Sequence, residues 1–229
     1  MPDPGPVLAD LARHIDISCV QAQHARADID ELVHQAVAGG FVSAHVLPEW
    51  LGYLRERLEG TGVLAGSPVS FPSGGATTAT KVTEASELLD LGAQELDVVV
   101  AIGRLRSGDD AYVTNELAAI VEVVDGRVPL RAILEVGRLD DDDIRRGVDA
   151  AIEAGVPWIK TGTGWSGVAT TIEHIRLIAD RADGRAALKA AGGIRDLDTV
   201  RTMAELGVTR FGMNATAALA AVAATKDQR

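Results

Sequence analysis

The chain has 229 residues, of which 47% are hydrophobic and only 3% aromatic, and its formal net charge is −11. A core built from Ala, Val, Leu and Ile suits packed layers of strand and helix, and one α/β domain fits this length. The acidic balance, with no basic patch, excludes a nucleic-acid partner, whose phosphates would be repelled.

In chain order, β-branched or apolar runs alternate with longer amphipathic stretches. A strand predicted at 12–17 is followed by a helix near 29–38, and one at 43–47 by a helix near 48–58. Strands at 67–71, 95–102 and 130–136 precede helices near 78–91, 110–124 and 140–154. The last three, at 158–161, 186–191 and 208–213, precede helices near 169–181, 197–206 and 215–224. Strict alternation implies parallel strands joined by right-handed crossovers. Eight such units predict a single (β/α)8 TIM barrel, and no linker or low-complexity segment divides it, so residues 1–229 read as one domain.

Cys19 is the only cysteine, so an intrachain disulfide is impossible and a reducing cytoplasm is the expected location. The start, Met-Pro-Asp-Pro-Gly-Pro, lacks the basic and apolar regions of a signal peptide. No apolar run approaches the roughly 18 residues of a membrane helix, so no membrane partner is expected.

In such a barrel the reactive groups sit at the C-terminal ends of strands and in the loops that follow. The run Pro157-Trp-Ile-Lys160-Thr-Gly-Thr-Gly164 puts a lysine late in an apolar strand, before a glycine-rich turn. Ala187-Leu-Lys189-Ala-Ala-Gly-Gly193-Ile-Arg195 repeats the pattern on the next strand. A strand period of two sends Lys160, Lys189 and Asp97 inward, with Asp16 near the end of the first strand. Four ionisable groups are therefore expected at one mouth.

A lysine amine, with a pKa near ~10.4, is protonated at neutral pH and cannot attack a carbonyl. Two late inward residues on neighbouring strands bring two ammonium groups within roughly 6 Å, where an effective dielectric of about 20 gives roughly 3 kcal/mol of repulsion, about two pKa units. Desolvation has to supply the remainder. One lysine can then be the nucleophile while the other stays charged, with Asp97 moving protons through a water. A single buried lysine more often just pairs with an acid; two on adjacent strand ends, each followed by glycines, favour imine chemistry.

These residues resemble deoxyribose-phosphate aldolase, a class I aldolase family with a (β/α)8 barrel. Ile159-Lys160-Thr161-Gly162-Thr163-Gly164 is similar to the family's Schiff-base motif, and Lys189-Ala-Ala-Gly192-Gly193-Ile-Arg195 to the segment with the second lysine and part of the phosphate site. Glu95-Leu-Asp97-Val-Val resembles the segment with the catalytic aspartate, Phe71-Pro72-Ser-Gly74-Gly-Ala-Thr77-Thr78-Ala-Thr80-Lys81-Val82 a further signature, and Ile15-Asp16 the start of the first. The resemblance implies reversible cleavage of 2-deoxyribose 5-phosphate to glyceraldehyde 3-phosphate and acetaldehyde, without metal or organic cofactor, by a protein that commonly pairs as a homodimer. It implies catalytic roles for Lys160, Lys189, Asp97 and Asp16. Substrate and phosphate contacts are expected from Ser18, His45, Thr161, Gly162, Thr163, Gly164, Gly192, Gly193, Arg195, Gly212 and Asn214.

The chain also departs from the family pattern. Ile17 and Ser18 stand where His-Thr is usual, His45 and Leu47 where Cys and Asn are usual, and Gly162 where a serine is expected. The last strand ends Gly212-Met-Asn214-Ala215 in place of Gly-x-Ser. Backbone amides at Gly192, Gly193 and the helix start after Met213 still suit an anion. The change leaves two alternatives open: a member redirected to another, unphosphorylated aldehyde or ketone, and a non-catalytic sugar-phosphate-binding barrel.

Other signals weigh less. Gly162-Thr-Gly164-Trp-Ser-Gly167 spells a dinucleotide fingerprint, but the next strand ends in Lys189 and Gly-Gly where an acid would hold ribose. Histidines 14, 24, 34, 45 and 174 lack metal-ligand spacing; His45 is placed near the mouth and the others on the surface. Asp140 to Asp143 read as a helix cap, and Cys19 as a bystander thiol.

Overall fold

In the computed structural model, which describes residues 4–227, eight parallel strands close into one barrel in sequence order, the last pairing with the first. They are Ile15–Cys19 (β1), Ser43–Val46 (β2), Leu64–Val69 (β3), Glu95–Val99 (β4), Leu130–Ile133 (β5), Trp158–Lys160 (β6), Ala187–Ala191 (β7) and Val208–Met213 (β8). Around them lie Gly5–Ala9 (α1), Arg26–Gly39 (α2), Leu51–Arg57 (α3), Thr78–Asp90 (α4) and Ile102–Arg106 (α5). The ring is completed by Asp110–Val124 (α6), Asp141–Glu153 (α7), Ile172–Ala182 (α8), Leu197–Glu205 (α9) and Ala215–Asp227 (α10). The expected (β/α)8 barrel is the observed fold. The expectation about the chain start rests partly on residues 1–3, which lie outside the described residues.

The core lies between the strands and the helices. Ile17, Ala44, Leu96, Val98, Ala132, Ile159 and Ala190 point outward from their strands and are wholly buried against the helix ring. Each fully buried Val, Leu or Ile stabilises by roughly 1.5–3 kcal/mol. That apolar shell offsets the cost of the inner face of the barrel, which carries charge.

Boundaries moved where backbone geometry overrode pattern. β1 starts later than expected because Leu11–His14 winds into a 3-10 turn. β3 lies earlier than 67–71, because Gly66 and Pro68 obscure the apolar pattern and Ser70, at φ 56°, turns the chain out of the strand. The run expected at 95–102 divides into β4 and the short α5. β5 ends at Ile133, shortly before Glu135 takes a left-handed conformation at φ 61°. The four aspartates at 140–143 do cap a helix: Asp140 Oδ1 accepts from the Asp143 N–H at 2.8 Å, and Asp143 Oδ2 from the Asp140 N–H at 3.3 Å.

Candidate active site

Strand register sets the site. Lys160 on β6 and Lys189 on β7 are aligned partners, and Lys189 is in turn aligned with Arg210 on β8. Asp97 on β4 is aligned with Arg131 on β5. The inward parity predicted for the lysines and the aspartate is met, and alternation puts two arginines on the same face.

One carboxylate oxygen links the two amines. Asp97 Oδ2 accepts from Lys160 Nζ at 2.7 Å and from Lys189 Nζ at 2.9 Å. The two nitrogens are therefore closer than the sum of those distances. Lys189 Nζ also lies 2.9 Å from Asp16 Oδ1, and Arg131 binds Asp97 Oδ1 at 3.1 Å. The contact of Asp97 with the lysines is direct, where the sequence argument placed a water. Access separates the amines: Lys189 is fully buried, whereas the Lys160 side chain keeps 12% of its surface exposed and lines a cavity.

A second tier of charge sits beside this one. Arg131 binds Glu95 Oε1 at 2.9 Å, and Arg210 binds Glu95 Oε2 at 2.9 Å and Ser43 Oγ at 3.0 Å. The Arg131 guanidinium also lies 5.3 Å from the centre of the Trp158 ring. Sequence reasoning missed Arg131, Arg210 and Glu95 as members of the site. The signal was present, since a charged residue alternating with apolar ones in a barrel strand must face the interior.

Burial alone would raise the Asp97 carboxyl, but Lys160, Lys189 and Arg131 hold it well below the usual range. Glu95 is likewise raised by burial and brought well down by the hydrogen bond from His45 and by Arg131 and Arg210. Burial is also the leading influence on Lys189. It pushes the amine down to about 8 against the pull of Asp16 and Asp97, and Lys160 adds a smaller push in the same direction. Repulsion between the lysines was expected to supply about two pKa units and desolvation the remainder; at Lys189 burial is the largest influence, and Lys160 ranks behind both carboxylates. Burial and Asp28 push the Cys19 thiol up to about 11, which keeps it unreactive.

A cavity of about 410 Å³ opens above the lysines at the C-terminal mouth. Asp16, Asp97, Lys160, His45, Ser18, Thr163, Gly164, Gly192, Gly193, Arg195, Gly212 and Asn214 all line it. Lys189 stands behind Asp97, outside the lining. Thr161 and Gly162 are outside it too: the buried Thr161 hydroxyl donates to the Ala191 carbonyl at 2.8 Å and accepts from Thr170. Thr161 joins β6 to β7 beneath the turn. Glu135 accepts from the Thr163 N–H at 3.2 Å and from its hydroxyl, and so holds the turn after Lys160. A Cβ at Gly162 would lie 3.0 Å from Glu135 Oε1, so a serine there would require the Glu135 carboxylate to shift by a few tenths of an ångström. His24, placed on the surface by sequence reasoning, lines the mouth. Trp165 donates its indole N–H to the Val20 carbonyl at 3.0 Å and packs edge-on to Phe71, joining loops across the opening.

A (β/α)8 barrel with paired lysines around one buried carboxylate defines the class of the imine-forming aldolase barrels. The family model of the DeoC/LacD family aldolases matches residues 13–216, and the chain belongs to that family. It is 52% identical over 206 residues to a deoxyribose-phosphate aldolase of Sinorhizobium medicae, covering 90% of this chain and 83% of that one. Identity to the deoxyribose-phosphate aldolase of Klebsiella pneumoniae is 46% over 207 residues, covering 89% and 83%. Among solved structures, the tetrameric deoxyribose phosphate aldolase of Aeropyrum pernix superposes with a TM-score of 0.86 at 28% identity, over 97% of this chain and 93% of that one.

Proposed function

We propose that this single-domain barrel is a class I aldolase that reversibly cleaves 2-deoxy-D-ribose 5-phosphate to D-glyceraldehyde 3-phosphate and acetaldehyde through an imine on Lys160. The observation that carries this reading is the shared Asp97 oxygen, with one amine open to the cavity and the other sealed behind it. Lys160 is the amine a substrate aldehyde can reach. Lys189, at about 8, stays mostly protonated at neutral pH and supplies a fixed positive charge next to the imine nitrogen.

In cleavage the C3 hydroxyl loses its proton and the O–H pair becomes the carbonyl of glyceraldehyde 3-phosphate. The C2–C3 pair becomes the enamine double bond, and the iminium nitrogen takes up the displaced electrons. Asp97 acts on the proton, and Asp16 holds Lys189 from the other side. Acid–base help of this kind contributes about 10²–10⁴-fold. The phosphate is assigned to the end of the cavity formed by Gly192, Gly193, Arg195 and Asn214, after β7 and β8. This chemistry uses a lysine as electron sink and calls for no cofactor.

Trapping tests the reading. Borohydride reduction with acetaldehyde, followed by peptide mass analysis, is expected to mark Lys160; sugar binding without an adduct would favour a non-catalytic binding barrel. A second reading, an unphosphorylated acceptor, is favoured by Asn214, whose Oδ1 accepts from the Ala217 N–H at 2.8 Å as a helix cap. Comparing 2-deoxyribose with its 5-phosphate separates the two. The proposal includes a cytoplasmic location and a homodimer, the latter checked by sedimentation; no helix among the described residues is long and apolar enough to cross a membrane.

A further inference from the structure

His45 is buried, lines the cavity and replaces the cysteine usual at this point of the family pattern. Its Nε2 lies 3.1 Å from Glu95 Oε2, and its Nδ1 lies 3.9 Å from Asp97 Oδ2. Glu95 also binds Arg131 and Arg210, which keep it an ionised acceptor, so Nε2 must carry the hydrogen. The Nδ1 lone pair then faces Asp97.

The backbone is shaped for this ring. His45 on β2 is aligned with Gly66 on β3, and a Cβ at Gly66 would lie 2.4 to 2.7 Å from three imidazole ring atoms. No side chain larger than hydrogen fits under the ring where it stands.

We propose that His45 acts through Asp97 as a positioning residue that stores the proton released in carbon–carbon cleavage. Nε2–H stays on Glu95 while Nδ1, once the 3.9 Å gap to Asp97 Oδ2 closes to hydrogen-bond distance, receives the proton from Asp97 and returns it for delivery to the enamine carbon. This rests on the imine reading above. The proton leaves the C3 hydroxyl for Asp97 Oδ2, moves to Nδ1, and comes back as C2 is converted from enamine carbon to methyl. No oxidant, reductant or further reactant is involved.

The surroundings of Asp97 leave His45 as the acceptor. Lys160 is committed to the imine, Arg131 is always protonated, and Lys189, at about 8, already holds its proton at neutral pH. Asp97 itself keeps a proton poorly, because the cations around it hold its carboxyl well below the usual range. An imidazolium at His45 would lie between the carboxylates of Glu95 and Asp97, with Asp16 on β1 also nearby in the field and Arg210 on β8 opposing.

The test compares wild type with His45→Gln, which keeps an amide N–H for Glu95 and removes the basic nitrogen. The Lys160 adduct with acetaldehyde should still be trapped by borohydride. Exchange of acetaldehyde methyl protons for deuterium, and kcat, should fall by about 100-fold with little change in KM. Gly66→Ala, which displaces the ring and keeps the histidine, should cause the same loss with the adduct retained. Wild-type turnover and methyl-proton exchange in His45→Gln would overturn the proposal, and so would joint loss of adduct and turnover, which marks a structural role. A wild-type protein that forms no adduct at all would overturn the imine reading, and the proton store with it.

Discussion

Replacing Asp97 with Asn takes away a negative charge held 2.7, 2.9 and 3.1 Å from Lys160, Lys189 and Arg131. At an effective dielectric of about 20, each of these contacts has a Coulomb energy of at most roughly 6 kcal/mol. Breaking a buried ion pair costs about 3–5 kcal/mol in practice. Lys189 can relieve part of this, because its amine already sits at about 8, and a drop of even ~2 units leaves it neutral at pH 7. A net loss of about 2–4 kcal/mol in unfolding free energy is therefore expected, together with at least a ~100-fold fall in kcat. Urea unfolding and turnover at pH 7 measure both. The pH dependence gives a further check. A depressed carboxyl contributes its stability above the ordinary Asp value near ~3.9 and loses it as pH falls through the folded value. The stability gap between wild type and Asp97→Asn should therefore close on acidification below about pH 4. A gap under ~1 kcal/mol at pH 7, or one that persists undiminished in acid, would refute charge sharing at Asp97.

Lys160→Met should abolish the borohydride adduct and turnover while unfolding stays cooperative, since this side chain is the partly exposed member of the pair; an adduct elsewhere in the chain would reassign the nucleophile. Lys81 is fully buried and donates to Glu116 Oε2 and to the Val99 carbonyl, both at 2.8 Å, joining α4 and α6 to the C-terminal end of β4. Lys81→Met should cost about 3 kcal/mol in urea unfolding at pH 7 while the folded protein still traps acetaldehyde on Lys160. Gly193 has φ 81°, and a Cβ there would lie 2.7 Å from that of Ala169. Gly193→Ala should destabilise by more than about 1 kcal/mol and raise KM for the 5-phosphate more than for 2-deoxyribose; an equal change in both KM values would move the phosphate elsewhere.

The barrel was legible because each inner strand had to be apolar on its helix side, and the alternation of short and long periods survives every shifted boundary. Lys160, Lys189, Asp97 and Asp16 were legible for a related reason: charged side chains at the ends of apolar strands have few directions to face. Arg131 and Arg210 obey the same rule but lie in Leu130-Arg-Ala-Ile133 and Val208-Thr-Arg-Phe211, where no glycine turn or second lysine draws attention. Glu135 could not be read at all, because its role follows from a left-handed backbone that only coordinates reveal. The place of Thr161 was not legible either, because sequence adjacency to Lys160 does not show that its hydroxyl turns toward the β7 backbone.

Two lysines this close could have been an obstacle, since opposed ammonium groups in a dry barrel would destabilise the fold. Four cations, Arg131, Lys160, Lys189 and Arg210, face three acids, Asp16, Glu95 and Asp97, so the fully ionised cluster carries one excess positive charge if His45 is neutral. Deprotonating one lysine balances it. Position decides which lysine can use that freedom productively: Lys189 is sealed between Asp16 and Asp97, whereas Lys160 meets the cavity and has no second carboxylate partner among the described contacts. Forming a protonated imine at Lys160 restores the positive charge in the same place, next to the Asp97 oxygen that held the ammonium. The surrounding dipoles and ions therefore need little rearrangement during the reaction, which is the condition under which fixed charges lower a barrier. The arginine tier, remote from substrate, matters because it keeps Glu95 ionised and returns Asp97 to its carboxylate form after each proton transfer.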